Sequence, residues 1–377
     1  MGGDRHATHR LWQALVLLAC ALFVAWIARF YHPLYGFSAL IGIAAGPNKL
    51  PVLAALPHAE TVAPYDGQFY AQLALEPLLL DPAIDRALDQ PPYRARRILF
   101  SWTAWLAGRG RPAWVVQAYA LQNVAVWLLL AWMLTRWIPP RNARLFALWI
   151  GCMFSPGLLW SVHFALLDGP SVLLLACAVI AAEKQRSWLL GAIVGIAALG
   201  RETNLLGAAL FRAPRSRPEW LRLGGALVLV VLPLVVWQDY LWSIYRTTSL
   251  AGSSQVTLPL VALLGSWKNS FVQISDPALR WLGVQTLMII AALTAQMVFV
   301  VTHRDRANPW WRLAAAFCLL TLVVGSEVWR GFPAASARVA LPLTFGFNVL
   351  LAAQERRFWP WYLLGNAHLV PAYFILF

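Results

Sequence analysis

Charge is what this chain has least of. Of its 377 residues only 12% are charged, and acidic side chains are the scarcer kind, 16 against 30 Lys and Arg. With 60% hydrophobic residues, that composition excludes an ordinary soluble domain. Cysteine is also scarce. Cys20, Cys152, Cys177 and Cys318 all fall inside apolar runs, which reads as packing and implies no disulfide framework. No Asp-x-Asp pair, no His pair at helical spacing beyond His6 and His9 of the amino-terminal tail, and no Cys cluster is present, so the common metal signatures are weak. A glycine-rich phosphate loop is absent too, which argues against direct use of a cytoplasmic nucleotide-sugar. Internal repeats and low-complexity tails are not found.

What the chain does have is apolar runs of ~20 residues, long enough to cross a hydrocarbon core as helices and without the alternation of barrel strands. The expected fold class is all-α: a single integral membrane domain over 1–377, built as a polytopic transmembrane helical bundle of about 10–12 segments. The net charge of +14 sits in short basic clusters between these runs, a positive-inside pattern that gives topology and not a nucleic-acid partner. The 21 Trp suit interfacial belts.

Arg5 and Arg10 place the amino terminus in the cytoplasm. The run from Leu11 to Phe30 ends in bulky residues without a small-x-small cleavage site, and is expected as a retained anchor. Further crossings are expected over about 113–135, 144–160, 169–182, 222–242, 279–301, 309–325, 339–353 and 359–377. A long first extracytoplasmic loop, 31–112, and a second, 243–277, then lie opposite the basic clusters. Residues 187–211 have Lys184 and Arg186 at one end and Arg212, Arg215, Arg217 and Arg222 at the other. Both ends should therefore be cytoplasmic, which predicts a pair of short helices turning near Gly200-Arg201-Glu202-Thr203-Asn204. One long helix with a buried Arg-Glu pair is the alternative.

Tyr65-Asp66-Gly67-Gln68-Phe69-Tyr70 is the most informative stretch, a carboxylate flanked by aromatics in a polar loop after the first crossing. Segment 68–80 is apolar enough for an amphipathic helix on the membrane surface. Asp66 at its start can cap the exposed amides or do chemistry. Arg94, Arg96 and Arg97 precede another apolar stretch and can anchor on headgroups or clamp a lipid phosphate bidentately. Arg201 is costly at its depth, which points to function or to an ion pair with Glu202 or Asp168. Asp168, ahead of Pro170, can position a substrate or cap its helix. Gln117, Gln122 and Asn123 read as interhelical hydrogen bonds, His58 and His163 as structural, and Glu327, Arg330 and Arg338 as loop solvation.

In their order and spacing, Tyr65 to Tyr70, Tyr93-Arg94-Ala95-Arg96-Arg97-Ile98-Leu99 and Arg201-Glu202-Thr203 resemble the GT-C superfamily. More narrowly they resemble bacterial multi-spanning membrane glycosyltransferases, over about residues 10–210. The resemblance implies that Asp66 is the essential Asp of the first external loop and acts as general base. It gives Asp168 the place of an acidic residue after the third crossing, where Glu is the usual form. Arg94, Arg97 and Arg201, with Glu202, Tyr65, Gln68, Tyr70 and Tyr93, would then hold the lipid phosphate. Ser101-Trp102 departs from the Pro that relatives often carry after Arg-Ile-Leu. The implied donor is a polyprenyl-phosphate sugar and the acceptor an envelope glycan, lipid or protein, at the outer face of a bacterial inner membrane and with inversion. No cofactor is implied, and a divalent cation on Asp66 and Asp168 stays open. Acceptor specificity is expected in 243–277 and the last external turns. The rival is a transporter or flippase of lipid-linked sugars, with Arg201, Glu202 and Asp168 in broken helices. No pseudo-symmetric halves are visible in support of it. A third reading is a non-catalytic assembly partner in which Asp66 is only a cap.

Overall fold

The computed structural model describes residues 2–62, 65–246, 255–330 and 334–376, with backbone alone at 2–9, 330 and 334. Among the described residues it is helical apart from isolated bridges. Four helices among the described residues are long and apolar enough to cross a membrane: Arg10–Ala28, Pro112–Leu134, Arg217–Tyr245 and Arg280–Thr302. A fifth crossing follows if Ala143–Met153 and Pro156–His163, bent by 43°, count as one. That bend falls just before Pro156, whose ring nitrogen cannot continue the helical ladder. The chain is thus a multi-pass, all-α membrane protein.

Full-length crossings are fewer than the apolar runs suggest, because several runs fold as shorter helices. Ser187–Ala198, Pro309–Val323 and Leu341–Ala352 are of this kind. The last run breaks into Phe358–Gly365 and Leu369–Leu376. The expected external loop 243–277 holds a 15-residue helix, Val261–Ser275, while 247–254 and the Arg330 side chain lie outside the described residues.

The chain divides into two compact units. One comprises Met1–Trp26, Trp127–Trp160 and Ser253–Phe377. Two of its helices start on side-chain caps: Asn142 accepts from the Leu145 amide at 3.0 Å, and Asn308 from the Trp310 amide at 2.9 Å ahead of Pro309. Phe23 stacks on Trp127 at 3.8 Å, and the buried indoles of Trp127 and Trp149 donate to the carbonyls of Met153 and Ala131. Buried amides tie its helices together. Asn348 and Asn366 exchange hydrogen bonds at 3.0 and 3.1 Å, and Thr344 donates to Gln296.

The other unit comprises Ile27–Val126 and Ser161–Gly252. Here Ser187–Ala198 crosses Arg217–Tyr245 closely because Gly191 and Gly195 face backbone. A Cβ at either would come within 2.4 Å of Ala226 O or 2.1 Å of Leu229 O. Leu229 is the residue whose carbonyl loses its helical donor to Pro233. The stretch expected as a loop, 31–112, carries six short helical pieces, among them Asp66–Leu75, Pro91–Ala95 and Leu99–Ala107. Two glutamines fasten them. Gln68 Oε1 accepts from the Ala44 amide at 3.0 Å, and Gln72 accepts from the Leu50 amide at 2.7 Å while donating to Ala87 O at 2.9 Å. The expected surface helix 68–80 is the shorter Asp66–Leu75, and most of its residues are buried. Protein covers it because these amide bonds and the Leu99–Ala107 helix enclose it.

Candidate active site

Every residue singled out above for chemistry lies in the second of these units. Asp66 opens the Asp66–Leu75 helix, with extended Tyr65 at the cap position and no side-chain cap there. Gly67 follows because nothing larger fits: a Cβ would lie 2.1 Å from Phe164 O and 2.6 Å from Ile41 O. Tyr65 stacks on Phe164 at 4.3 Å. These two contacts fix the start of the helix against the segment that leads to Asp168.

Arg94 closes on Asp66 from Pro91–Ala95. Its Nη2 lies 2.9 Å from Asp66 Oδ1, while Nε and Nη2 donate to the two oxygens of Asp89 at 2.8 Å each. The guanidinium also lies 4.6 Å from the Phe69 ring centre. The Arg94 side chain is buried, but Asp66 and Asp89 are 39% and 41% exposed, so two half-open carboxylates share one enclosed cation. Burial disfavours the Arg94 charge, yet its bonds to Asp89, with Tyr70 and Asp66 beside it, carry its pKa above the ordinary value.

Tyr70 passes this arrangement on. Its buried hydroxyl lies 3.5 Å from Arg94 Nη1 and 3.3 Å from Arg97 Nη1. Arg97 donates to the Tyr93 hydroxyl at 2.9 Å and through Nε to Glu202 Oε2 at 2.9 Å, while Arg96 Nε lies 3.5 Å from Glu202 Oε1. Burial alone would raise the Glu202 pKa, but Arg97 and Arg96 outweigh it and hold the carboxyl below its ordinary value. Glu202 begins a 3₁₀ helix, Glu202–Leu210, directly after extended Arg201. Where two short arms are expected, the structure has the helix Ser187–Ala198 and this 3₁₀ segment. Asn204 holds the turn between them, donating to Ala197 O at 2.8 Å and Ser171 Oγ at 3.0 Å.

Arg201 pairs with Asp168, which is only 5% exposed at the start of Asp168–Glu183. Of the two ion pairs weighed for Arg201, the structure has this one, and Glu202 turns to Arg97 and Arg96. The Ser161 hydroxyl organises the same corner. It donates to Asn123 and Leu166 O and accepts from the Gly169 amide at 2.9 Å. Of the three amides expected to bond between helices, Gln122 does so, accepting from the Thr103 hydroxyl, while Gln117 and Asn123 donate to the carbonyls of Tyr35 and Leu166, which lie outside the helices.

Three features differ from expectation. Gln68, expected at the lipid phosphate, is buried and its carbonyl oxygen is taken by Ala44. Arg94, Arg96 and Arg97, expected at headgroup depth, face protein carboxylates and the Tyr93 ring. Asp89, which no motif marked, is the bidentate partner of Arg94, and the spacing Asp89-Gln90-Pro91-Pro92-Tyr93-Arg94 is its one local sign. The departure at Ser101-Trp102 is put to use. Ser101 donates to Tyr70 O at 2.8 Å, and Trp102 donates to Pro77 O at 3.3 Å.

A divalent cation between Asp66 and Asp168 would have to displace a guanidinium from each. Among the described residues no three His, Cys, Asp or Glu side chains converge.

No protein-family model matches the chain, and no curated protein matches it. Among solved structures it is similar to the crystal structure of ArnT from Cupriavidus metallidurans in the apo state, at 16% identity and a TM-score of 0.46. The alignment covers 94% of this chain and 62% of that one, so the chain spans less than two thirds of its length.

Proposed function

We propose that the chain is a glycosyltransferase of the GT-C kind. It would transfer a sugar from a polyprenyl-phosphate carrier to a hydroxyl of an envelope acceptor, on the outer face of a bacterial inner membrane. The observation that carries this reading is the continuous chain Asp66–Arg94–Tyr70–Arg97–Glu202, which joins three separate stretches of sequence behind one half-exposed carboxylate. The sequence resemblance to the superfamily is its second support.

In this reading Asp66 takes the proton from the acceptor hydroxyl. The acceptor oxygen forms its bond to the anomeric carbon as the bond to the phosphate oxygen breaks, and the electron pair leaves on the polyprenyl phosphate. A single displacement inverts the anomeric centre. A positioned base contributes about 10²–10⁴-fold to such a step. Arg94 is a positioning residue for Asp66, held in turn by Asp89. Arg97 and Arg201 stand on the phosphate side, each exchanging a carboxylate oxygen for one from the leaving group. Tyr65, Tyr70 and Tyr93 shape the wall between them, and Asp168 sets the Arg201 fork. A cation does not fit the two guanidinium-faced carboxylates, and no step is routed through one.

The test is Asp66→Asn in proteoliposomes loaded with polyprenyl-phosphate sugars. Transfer should fall about 10²–10⁴-fold while donor lipid still binds, and near-normal turnover would refute the assignment.

A further inference from the structure

In the unit that contains Ser253–Phe377, residues 255–260 are pinned to the end of the Pro309–Val323 helix. The Thr257 amide donates to Val323 O and the Leu260 amide to Leu322 O, both at 2.8 Å. Leu260, at φ 69°, then turns the chain into Val261–Ser275, which packs against Ser326–Arg330. A cavity of about 380 Å³ lies between them, within the size range of small-ligand sites.

Its lining has a consistent chemistry. Thr257, Ser266, Asn269 and Ser326 contribute hydroxyls and an amide that make no side-chain hydrogen bond to protein among the described residues. Trp329 lines the same space, is 5% exposed, and its indole N–H has no acceptor. Gly265 keeps the space open, since a Cβ there would meet nothing within 4 Å. A buried donor without a partner is rare, and the enclosed Trp329 N–H, with buried Ser266 and the more open Thr257, Asn269 and Ser326 around the same space, calls for an occupant that supplies both acceptors and donors. Among the described residues no lining side chain is charged, which favours a neutral occupant. Hydroxyl-matching groups beside an indole suit a pyranose ring, polar at its rim and apolar on its face.

We infer that this cavity binds a sugar ring as a small neutral ligand.

The full chain, purified in a detergent without a sugar headgroup, is tested by saturation-transfer NMR with glucose, galactose, mannose and N-acetylglucosamine. At least one ring should receive saturation. The signal should fall about tenfold in Ser266→Val/Asn269→Leu, the loss of one hydrogen bond's worth of affinity. If that double variant does not fold, exposed Asn269→Leu alone is read. Silence from all four sugars would mean that water alone fills the cavity and would overturn the inference. So would an undiminished signal in a folded variant. Asp66→Asn should bind the ring as the parent does, so failure of the base assignment and failure of this site are told apart.

Discussion

Asp66 and Asp89 form a matched pair that separates chemistry from architecture. Both face the buried Arg94 at 2.8–2.9 Å and both are about two-fifths exposed, yet only Asp66 is assigned to proton transfer. Asp89 accepts two hydrogen bonds from the guanidinium, whereas Asp66 lies 2.9 Å from Nη2. A hydrogen bond to a charged group contributes roughly 1.5–3 kcal/mol when enclosed, and an exposed ion pair about 0.2–1 kcal/mol. Half-open carboxylates fall between these limits, so Asp89→Asn should cost about 1–2 kcal/mol of stability and Asp66→Asn about 0.5–1 kcal/mol. Activity should run the other way, with Asp66→Asn losing about 10²–10⁴-fold in turnover and Asp89→Asn less than about tenfold. Thermal unfolding in detergent and sugar transfer in proteoliposomes, measured on the same preparations, give both orders. If turnover loss follows stability loss, with Asp89→Asn the worse variant, Asp66 is an architectural residue and the proposed base is wrong.

Gly67→Ala should destabilise by about 3 kcal/mol or more, since its Cβ would press on two backbone oxygens that cannot step aside; an unchanged melting temperature would contradict the packing described. Arg201→Ala should cost about 3–5 kcal/mol because it takes the guanidinium away from a carboxylate only 5% exposed, and adding Asp168→Asn should restore part of that loss in a double-mutant cycle. The depressed Glu202 pKa means that the unfolded chain binds its proton more readily. Its stabilising contribution is therefore complete above about pH 4.5 and is lost as pH falls through the lower folded-state value. Glu202→Gln should flatten that acid limb of the stability profile, and an identical limb in both proteins would place the effect elsewhere.

Elements whose cause is local could be read in the sequence. Pro112–Leu134 follows from length and hydropathy, and the turn at Gly200-Arg201 from basic residues at both ends of a run too long for one arm and too short for two crossings. Helix Val261–Ser275 was hidden because Ser266, Lys268, Asn269 and Ser270 dilute its apolar side. The enclosure of Asp66–Leu75 depends on amide bonds that Gln68 and Gln72 make to backbone 15 to 24 residues away, and no window of sequence contains both ends. In the candidate site, residue types and order were legible. The pairing was not, because which carboxylate meets which arginine depends on two turns, at Gln90-Pro91 and Gly200-Arg201, whose directions hydropathy does not specify.

The enclosed Asp66–Leu75 helix also bears on how the sidedness of this protein can be mapped. Single cysteines placed at Ala71, Leu73 or Ala74 would resist impermeant thiol reagents from either compartment, and so would imitate a stretch embedded in lipid. Reporter positions have to be chosen at Val62 or Leu80, which stand open at either end of that helix, or the topology obtained will contain one crossing too many.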